Sequence, residues 1–238
     1  MNRVEVIDLK YDYNGDFIVS LVVIADDKEM VLVDCGMTNS YDMIKDAMAE
    51  RGLDIQKLTK VIITHQDLDH MGSLAEIKRN VKGVQILASE EEAKHISGKE
   101  EFIRVQNVDK IIDSVDEAKK KELLAYRDRV KAVETVDVDV FVKNGDTFPI
   151  AGGIEIIETP GHLPGHISVL IKEKKALVTG DALAIMDGEL IPSNPQFTLD
   201  MAKAKESIKN LLNYDIEELI CYHGGVFNDD VKGKIENF

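Results

Sequence analysis

Four side chains able to hold a metal ion crowd into one short stretch, Thr64-His65-Gln66-Asp67-Leu68-Asp69-His70-Met71-Gly72. Two imidazoles and two carboxylates, His65, Asp67, Asp69 and His70, suit a divalent ion bound through nitrogen and oxygen far better than they suit a hydrophobic core. Three further turns share the design. Thr159-Pro160-Gly161-His162-Leu163-Pro164-Gly165-His166 is a tight loop with two histidines, Gly180-Asp181 delivers one carboxylate, and His223-Gly224-Gly225 one imidazole. A lone His or Asp at any one of them is more often structural than functional. All four clusters, however, follow runs of β-formers, and strand ends are where a sheet scaffold gathers side chains from distant parts of a chain.

The elements that must position these residues are legible from patterning. Val4 to Leu9 and Phe17 to Ile24 read as strands flanking Tyr13-Asn14-Gly15-Asp16, whose Asn-Gly is a hairpin signal. A turn at Asp26–Glu29 leads into a third strand that ends in Asp34-Cys35-Gly36. Asn39 or Ser40 can cap a helix with Tyr41, Ile44, Ala47 and Met48 on one face, stopped near Gly52. Lys60–Thr64 is the strand entering the dense motif, Met71–Asn80 the helix leaving it, and Val84–Ala88 the next strand. Later strands are expected at Val138–Phe141, Ile154–Ile157, Ile167–Ile171, Ala176–Thr179 and Leu219–Tyr222, with a turn at Lys172–Lys175. A helix carrying Ala204, Ile208, Leu211 and Leu212 precedes the last of them. Two mixed βα halves predict a single α/β domain over residues 1–238, two packed sheets with helices outside.

Residues 89–133 differ in character. They are rich in Glu and Lys, lack proline, and show helical spacing at Val108, Ile111, Ile112 and Val115, then at Leu123, Leu124 and Val130. Too few large apolar residues are present for a separate core, so this is a helical insertion, serving either as a lid over the site or as a dimer interface. His95, inside it, is expected to face solvent.

A net charge of −15 disfavours polyanions and makes nucleic acid a poor partner. No apolar run reaches the length of a membrane span, and the N-terminus lacks the apolar core of a signal peptide. The expectation is a cytoplasmic protein acting on a small molecule, possible homodimerisation included. Two cysteines, Cys35 and Cys221, fit a reducing compartment and are not expected to be ligands or nucleophiles.

The ordered set Asp34-Cys35-Gly36, His65 to His70, Gly161-His162, Gly180-Asp181 and His223 resembles the metallo-β-lactamase-fold metallo-hydrolase superfamily over nearly the whole chain. The resemblance implies an αββα sandwich of two mixed β-sheets with outer helices and a dinuclear metal site at one edge. By position, one ion takes His65, Asp67 and His162, the other takes Asp69, His70 and His223, and Asp181 bridges them. Asp34 braces the ligand loop, and Asp69 orients the nucleophile and passes a proton to the leaving group. His166 is expected to hydrogen-bond rather than ligate, and Tyr222, next to His223 on a strand, to point away and pack.

Asp67 stands where the family motif carries its second His. With two carboxylates and a bridging hydroxide, two divalent ions leave about +1, and a third carboxylate brings that to about 0. Three readings follow: a variant ligand to zinc, a preference for manganese or iron, or a side chain turned away that leaves one ion weakly held. The function implied is hydrolysis of an ester, lactone, thioester or amide by a metal-bridging hydroxide. In size and motif order the chain most resembles small bacterial hydrolases related to quorum-quenching lactonases. Those lactonases carry a substrate-binding Tyr three residues after the bridging Asp, where this chain has Ala184. The alternative is a di-iron redox enzyme acting on oxygen or nitric oxide with a separate electron donor, suggested by the extra acid at position 67.

Overall fold

Residues 2–12 and 16–238 are described by the structure, a computed structural model; the Asn14-Gly15 hairpin signal and Tyr13 lie outside them. The first half runs β1 (Arg3–Asp12), β2 (Asp16–Ala25), β3 (Met30–Val33), α1 (Tyr41–Glu50), β4 (Lys60–Ile62), α2 (Leu68–Met71), α3 (Leu74–Asn80) and β5 (Gln85–Ser89). Three helices follow, α4 (Glu90–Ile96), α5 (Ile103–Ile111) and α6 (Glu117–Lys131), before β6 (Val140–Val142). The second half is β7 (Thr147–Phe148), β8 (Ile154–Glu158), β9 (Ile167–Ile171), β10 (Ala176–Gly180), β11 (Leu183–Met186), β12 (Glu189–Pro192), α7 (Met201–Asn210), β13 (Glu218–Cys221), β14 (Gly225–Phe227) and α8 (Val231–Glu236).

Strands β1 to β6 form one sheet in sequence order, antiparallel up to β3 and parallel from β3 onward. The second sheet has the order β14-β13-β10-β9-β8-β7, with β10 and β13 parallel. Alternation along each strand sorts the apolar residues into layers. Val22, Ile24, Val31, Val33, Ile62 and Leu87 meet Ile156, Ile167, Val169, Val178 and Ile220 between the sheets. Leu21, Val23, Leu32, Val61 and Ile86 turn outward onto Ile44 and Met48 of α1 and Leu74 and Ile77 of α3. On the far side Ile157, Leu170, Leu177 and Leu219 turn onto Ile208 of α7 and Ile235 of α8. The fold is the αββα sandwich.

The helical segment after β5 docks on the main body through Phe102, Val105, Val130 and Val133, which join the outer core of the first sheet. Its buried face differs from the one the spacing suggested: Val105 and Val108 are buried, whereas Ile111 is 45 % exposed. His95 is a second correction. It is buried, and its Nδ1 donates to the Glu101 carbonyl at 2.7 Å, closing the loop between α4 and α5.

The dense motif also differs from expectation in one respect. Helix begins at Leu68, so Asp69 and His70 sit on a first turn, α2, that is broken from α3 around Gly72. Gly72 donates to the Gly36 carbonyl at 2.9 Å, and a Cβ there would lie 2.4 Å from backbone atoms of Met37 and Thr38. Since no flexible side-chain end is available to move aside, Gly72→Ala is expected to lower unfolding free energy by about 1–3 kcal/mol, the usual cost of overpacking. Denaturant titration measures this, and an unchanged midpoint would show that the two loops separate without cost.

Candidate metal centre

The site grows from the carboxyl ends of β3, β4 and β10 and the loops that follow β8 and β13. β3 ends at Asp34, which is buried and held at φ +59°, a left-handed conformation uncommon outside glycine, asparagine and aspartate. That turn aims its carboxylate back across the sheet. Oδ1 accepts from the Thr64 amide at 2.8 Å, and Oδ2 accepts from His70 Nδ1 at 2.8 Å. With Nδ1 committed as a donor, His70 presents the lone pair of Nε2 to the centre. His65 is set similarly, its Nδ1 lying 3.0 Å from the Thr64 hydroxyl. Tyr222 is not turned away: its ring stacks on His70 with centroids 3.8 Å apart, and its hydroxyl donates to the Asp69 carbonyl.

All seven residues singled out in the sequence converge. One donor atom from each of His65, Asp67 and His162 forms one compact group, Asp69, His70 and His223 form another, and His65, His70 and Asp181 a third between them. Asp181 faces both ways. Its Oδ1 lies 3.2 Å from His70 Nε2 and 3.5 Å from His223 Nε2, while Oδ2 lies 3.5 Å from His162 Nε2. His65 Nε2, His70 Nε2 and Asp181 Oδ1 are buried without a hydrogen-bond partner among the described residues. Buried polar atoms left unpaired are costly, and three of them aimed at one point fit a divalent cation.

His166 remains outside this set. Its Nε2 accepts from the Asp181 amide at 3.0 Å and its Nδ1 donates to Thr159 Oγ1 at 2.8 Å, so both nitrogens are engaged, one of them holding the backbone of Asp181. Burial, with His65 and His162 close by, pushes its pKa well down and keeps it neutral. Gly180 makes room for it, since a Cβ there would come within 2.7 Å of His166 Nε2. Both cysteines are buried. Desolvation raises Cys35 well above its ordinary value and pushes Cys221 up to about 12, which leaves neither a nucleophile.

Two residues that the sequence did not flag complete the site. Arg104, on α5, donates from Nε to Asp67 Oδ1 at 2.7 Å and from Nη2 to Asp67 Oδ2 at 2.6 Å. Nη2 also lies 3.0 Å from His162 Nε2. Burial alone would raise the Asp67 carboxyl; Arg104, with His162 and His65, outweighs that and holds it well below the carboxylate range. Glu92, on α4, is fully buried and accepts from the Gln66 amide, the Gln66 side chain and the Gly165 amide, each at 3.0 Å. Gln66 in turn accepts from the Ile103 amide at 2.8 Å. One carboxyl therefore ties together the dense motif, the His162 loop and the start of α5.

Electrostatics divide the centre. Around His70, desolvation would lower the pKa, but Asp181, Asp34 and Asp69 raise it well above the ordinary histidine value. Around His65 burial and the neighbouring His70 win, and its pKa falls. Carboxylate is thus in surplus on the Asp69–His70–His223 side and already matched by Arg104 on the other.

The sequence profile of the Metallo-beta-lactamase superfamily matches residues 14–223. The chain belongs to that superfamily. It is 28 % identical over 211 residues to the probable metallo-hydrolase YflN of Bacillus subtilis, covering 82 % of this chain and 75 % of the relative. Hydroxyacylglutathione hydrolase GloC of Haemophilus influenzae is 28 % identical over 160 residues, 66 % of this chain and 63 % of that protein. Among solved structures, the metallo-beta-lactamase family protein TTHA1429 of Thermus thermophilus superposes with a TM-score of 0.76 at 20 % identity, covering 98 % of this chain and 77 % of that one. No helix among the described residues is long and apolar enough to cross a membrane.

Glu92 supplies a test of the scaffold. Desolvation outweighs its three donors and raises its pKa from 4.5 to about 7. The folded carboxyl keeps a proton that the unfolded chain releases, so its burial costs nothing below pH 4.5, costs more as the pH climbs to about 7, and is constant above. Glu92→Gln removes that slope, and its stability relative to the unsubstituted protein should improve steadily between those two pH values. Parallel stability profiles for the two proteins would mean that Glu92 ionises at its ordinary value.

Proposed function

We propose that this protein is a metal-dependent hydrolase of a small-molecule ester, lactone, thioester or amide, acting at two metal subsites bridged by Asp181. The observation that carries this reading is the convergence of seven His and Asp side chains around three buried atoms without a partner among the described residues, His65 Nε2, His70 Nε2 and Asp181 Oδ1. Relatives named metallo-hydrolase and hydroxyacylglutathione hydrolase support the hydrolytic class. Divalent ions bound there supply an acidified water and polarisation of a carbonyl oxygen.

The protein's own groups do the rest. The Asp69 and His223 side chains are 21 % and 29 % exposed, against 0 % for His65 and His70, so the centre opens to solvent at the Asp69–His223 edge. Asp69 Oδ2 lies 3.4 Å from His223 Nε2, and the Asp69 backbone is pinned by Tyr222. A carboxylate at the mouth of the site, fixed in place, can take the proton of an attacking water and return it to the leaving group. Phe17, its ring centroid 5.6 Å from that of His223, offers an apolar wall beside this opening. The acidic surface favours a small, uncharged or zwitterionic substrate over a polyanion. The acid at position 67, on which the di-iron redox alternative drew, is paired with Arg104.

The decisive experiment is a panel of esters, lactones and thioesters assayed with zinc, manganese or iron after chelation. Chelated protein should be inactive and regain activity with one of these ions. With metal content unchanged, Asp69→Asn should lower kcat by about 10²-fold or more while KM moves little, as removal of a general acid–base group does. A metal-loaded protein inert across the panel would overturn the hydrolase reading, and an Asp69→Asn variant of full activity would remove Asp69 from the proton path.

A further inference from the structure

Resting on the two-subsite reading, we propose that Arg104 is a built-in cation of the His65–Asp67–His162 subsite. Its guanidinium and a metal ion compete for Asp67 Oδ2 and His162 Nε2, so the Asp69–His70–His223 subsite fills first and the other fills against Arg104.

The contest is set by atoms. Nη2 sits 2.6 Å from Asp67 Oδ2 and 3.0 Å from His162 Nε2, and those two atoms are 3.0 Å from each other. The in-plane lone pair of an imidazole nitrogen serves one partner, an N–H or an ion. A metal on His162 Nε2 must therefore displace Nη2 from it. The Nε–H···Oδ1 arm of the clamp, at 2.7 Å, can survive that displacement while Oδ2 changes hands.

Arg104 is held in place for this role. It is only 7 % exposed and follows Ile103, whose amide is bonded to Gln66 in the motif itself. A buried guanidinium–carboxylate pair is strongly disfavoured from separating unless another cation replaces one partner.

The two subsites also differ in support. His70 is fixed by Asp34 through Nδ1, whereas His162 Nδ1 is buried without a partner among the described residues. A histidine ligand lacking such a brace holds a metal less firmly. Charge points the same way. Asp69 and Asp181 form their ion pairs with histidines, while Asp67 is already neutralised by an arginine. The count that brings a doubly occupied site with three carboxylates to about 0 therefore returns to about +1 once Arg104 is included.

Calorimetric titration of the chelated, full-length protein with Zn²⁺ and with Mn²⁺, checked by elemental analysis, tests this without reference to turnover. The protein should bind two ions in distinct steps, with the second weaker by ~10–100-fold, and His162→Ala should abolish the second step alone. Arg104→Met should tighten the second step by ~10-fold or more and leave the first within ~3-fold. Arg104→Met strips the buried Asp67 of its guanidinium partner and can cost folding stability, so the comparison is repeated in a neutral background. There Asp67→His with Arg104→Met should bind its second ion at least ~10-fold more tightly than Asp67→His alone. Two equal steps in the unsubstituted protein, or a second step that removing Arg104 leaves unchanged or weakens, would overturn the competition while leaving the metal reading intact. Failure of every form to bind any ion would overturn both.

Discussion

The centre depends on one knot, the Asp34 carboxylate gripping the Thr64 amide and His70 Nδ1. It joins the end of β3 to the end of β4 and to the first turn of α2, and the Thr64 hydroxyl, within reach of both Asp34 oxygens, tightens the same junction. Asp34 reaches it from a left-handed backbone, a conformation that costs of order 1–3 kcal/mol when the surroundings do not impose it. The surroundings do impose it. Its amide donates to the Ile62 carbonyl at 2.9 Å, and the next residue, Cys35, donates to the His70 carbonyl at 2.7 Å. Because β3, β4 and β5 are parallel, their carboxyl ends open at the same edge, and the acid of one strand is brought within reach of the histidines of the next. The two sheets are sealed together at that edge by the Ile167 amide, which donates to the Thr64 carbonyl at 3.1 Å and so delivers the His162–His166 loop beside the motif.

A second layer of support comes from the helical segment. Glu92 of α4 and Arg104 of α5 face the motif from the same side, one through Gln66 and one through Asp67. Ser89 joins them, capping α4 through its hydroxyl and donating to the Gly165 carbonyl at 2.7 Å. The segment is therefore part of the wall of the centre, supplying the Arg104 guanidinium to Asp67. Within the chain, these contacts make the segment a buttress of the centre.

Much of the fold was legible because its strands alternate cleanly between the inter-sheet layer and the helix-facing layers, as Leu32 does between Val31 and Val33. The motif was legible because metal-binding chemistry requires a dense run of His and Asp at strand ends. What escaped has physical causes. Strands β7, β11, β12 and β14 are two to four residues long, too short for a period to register. Glu92 stands in Ser89-Glu90-Glu91-Glu92, within a run rich in charged residues where no single acid stands out; Ser89 caps the helix at 3.2 Å and the Glu92 carboxyl turns inward onto Gln66. His95 lies in the same charged run and is buried by a backbone partner only six residues on. Arg104 alternates with Ile103 and Val105 on a polar helix, where a lone arginine reads as solvent-facing until its partner on another element is known.

Asp67 and Arg104 are best understood as one unit. A neutral histidine at position 67 would leave a buried guanidinium beside the subsite with no counter-charge, and a neutral residue at 104 would leave an additional carboxylate on the ions; either change alone is unbalanced. Together they restore the net charge of a His-rich centre while adding something that such a centre lacks. In the competition proposed for Arg104, occupancy of the His65–Asp67–His162 subsite would be tied to α5, since the atom an ion would displace belongs to that helix. The start of α5 is in turn bonded through Gln66 and Glu92 to the His162 loop. These bonds link the Asp67–Arg104 pair to the segments that wall the centre on that side, while the Asp34–His70 knot anchors the other side.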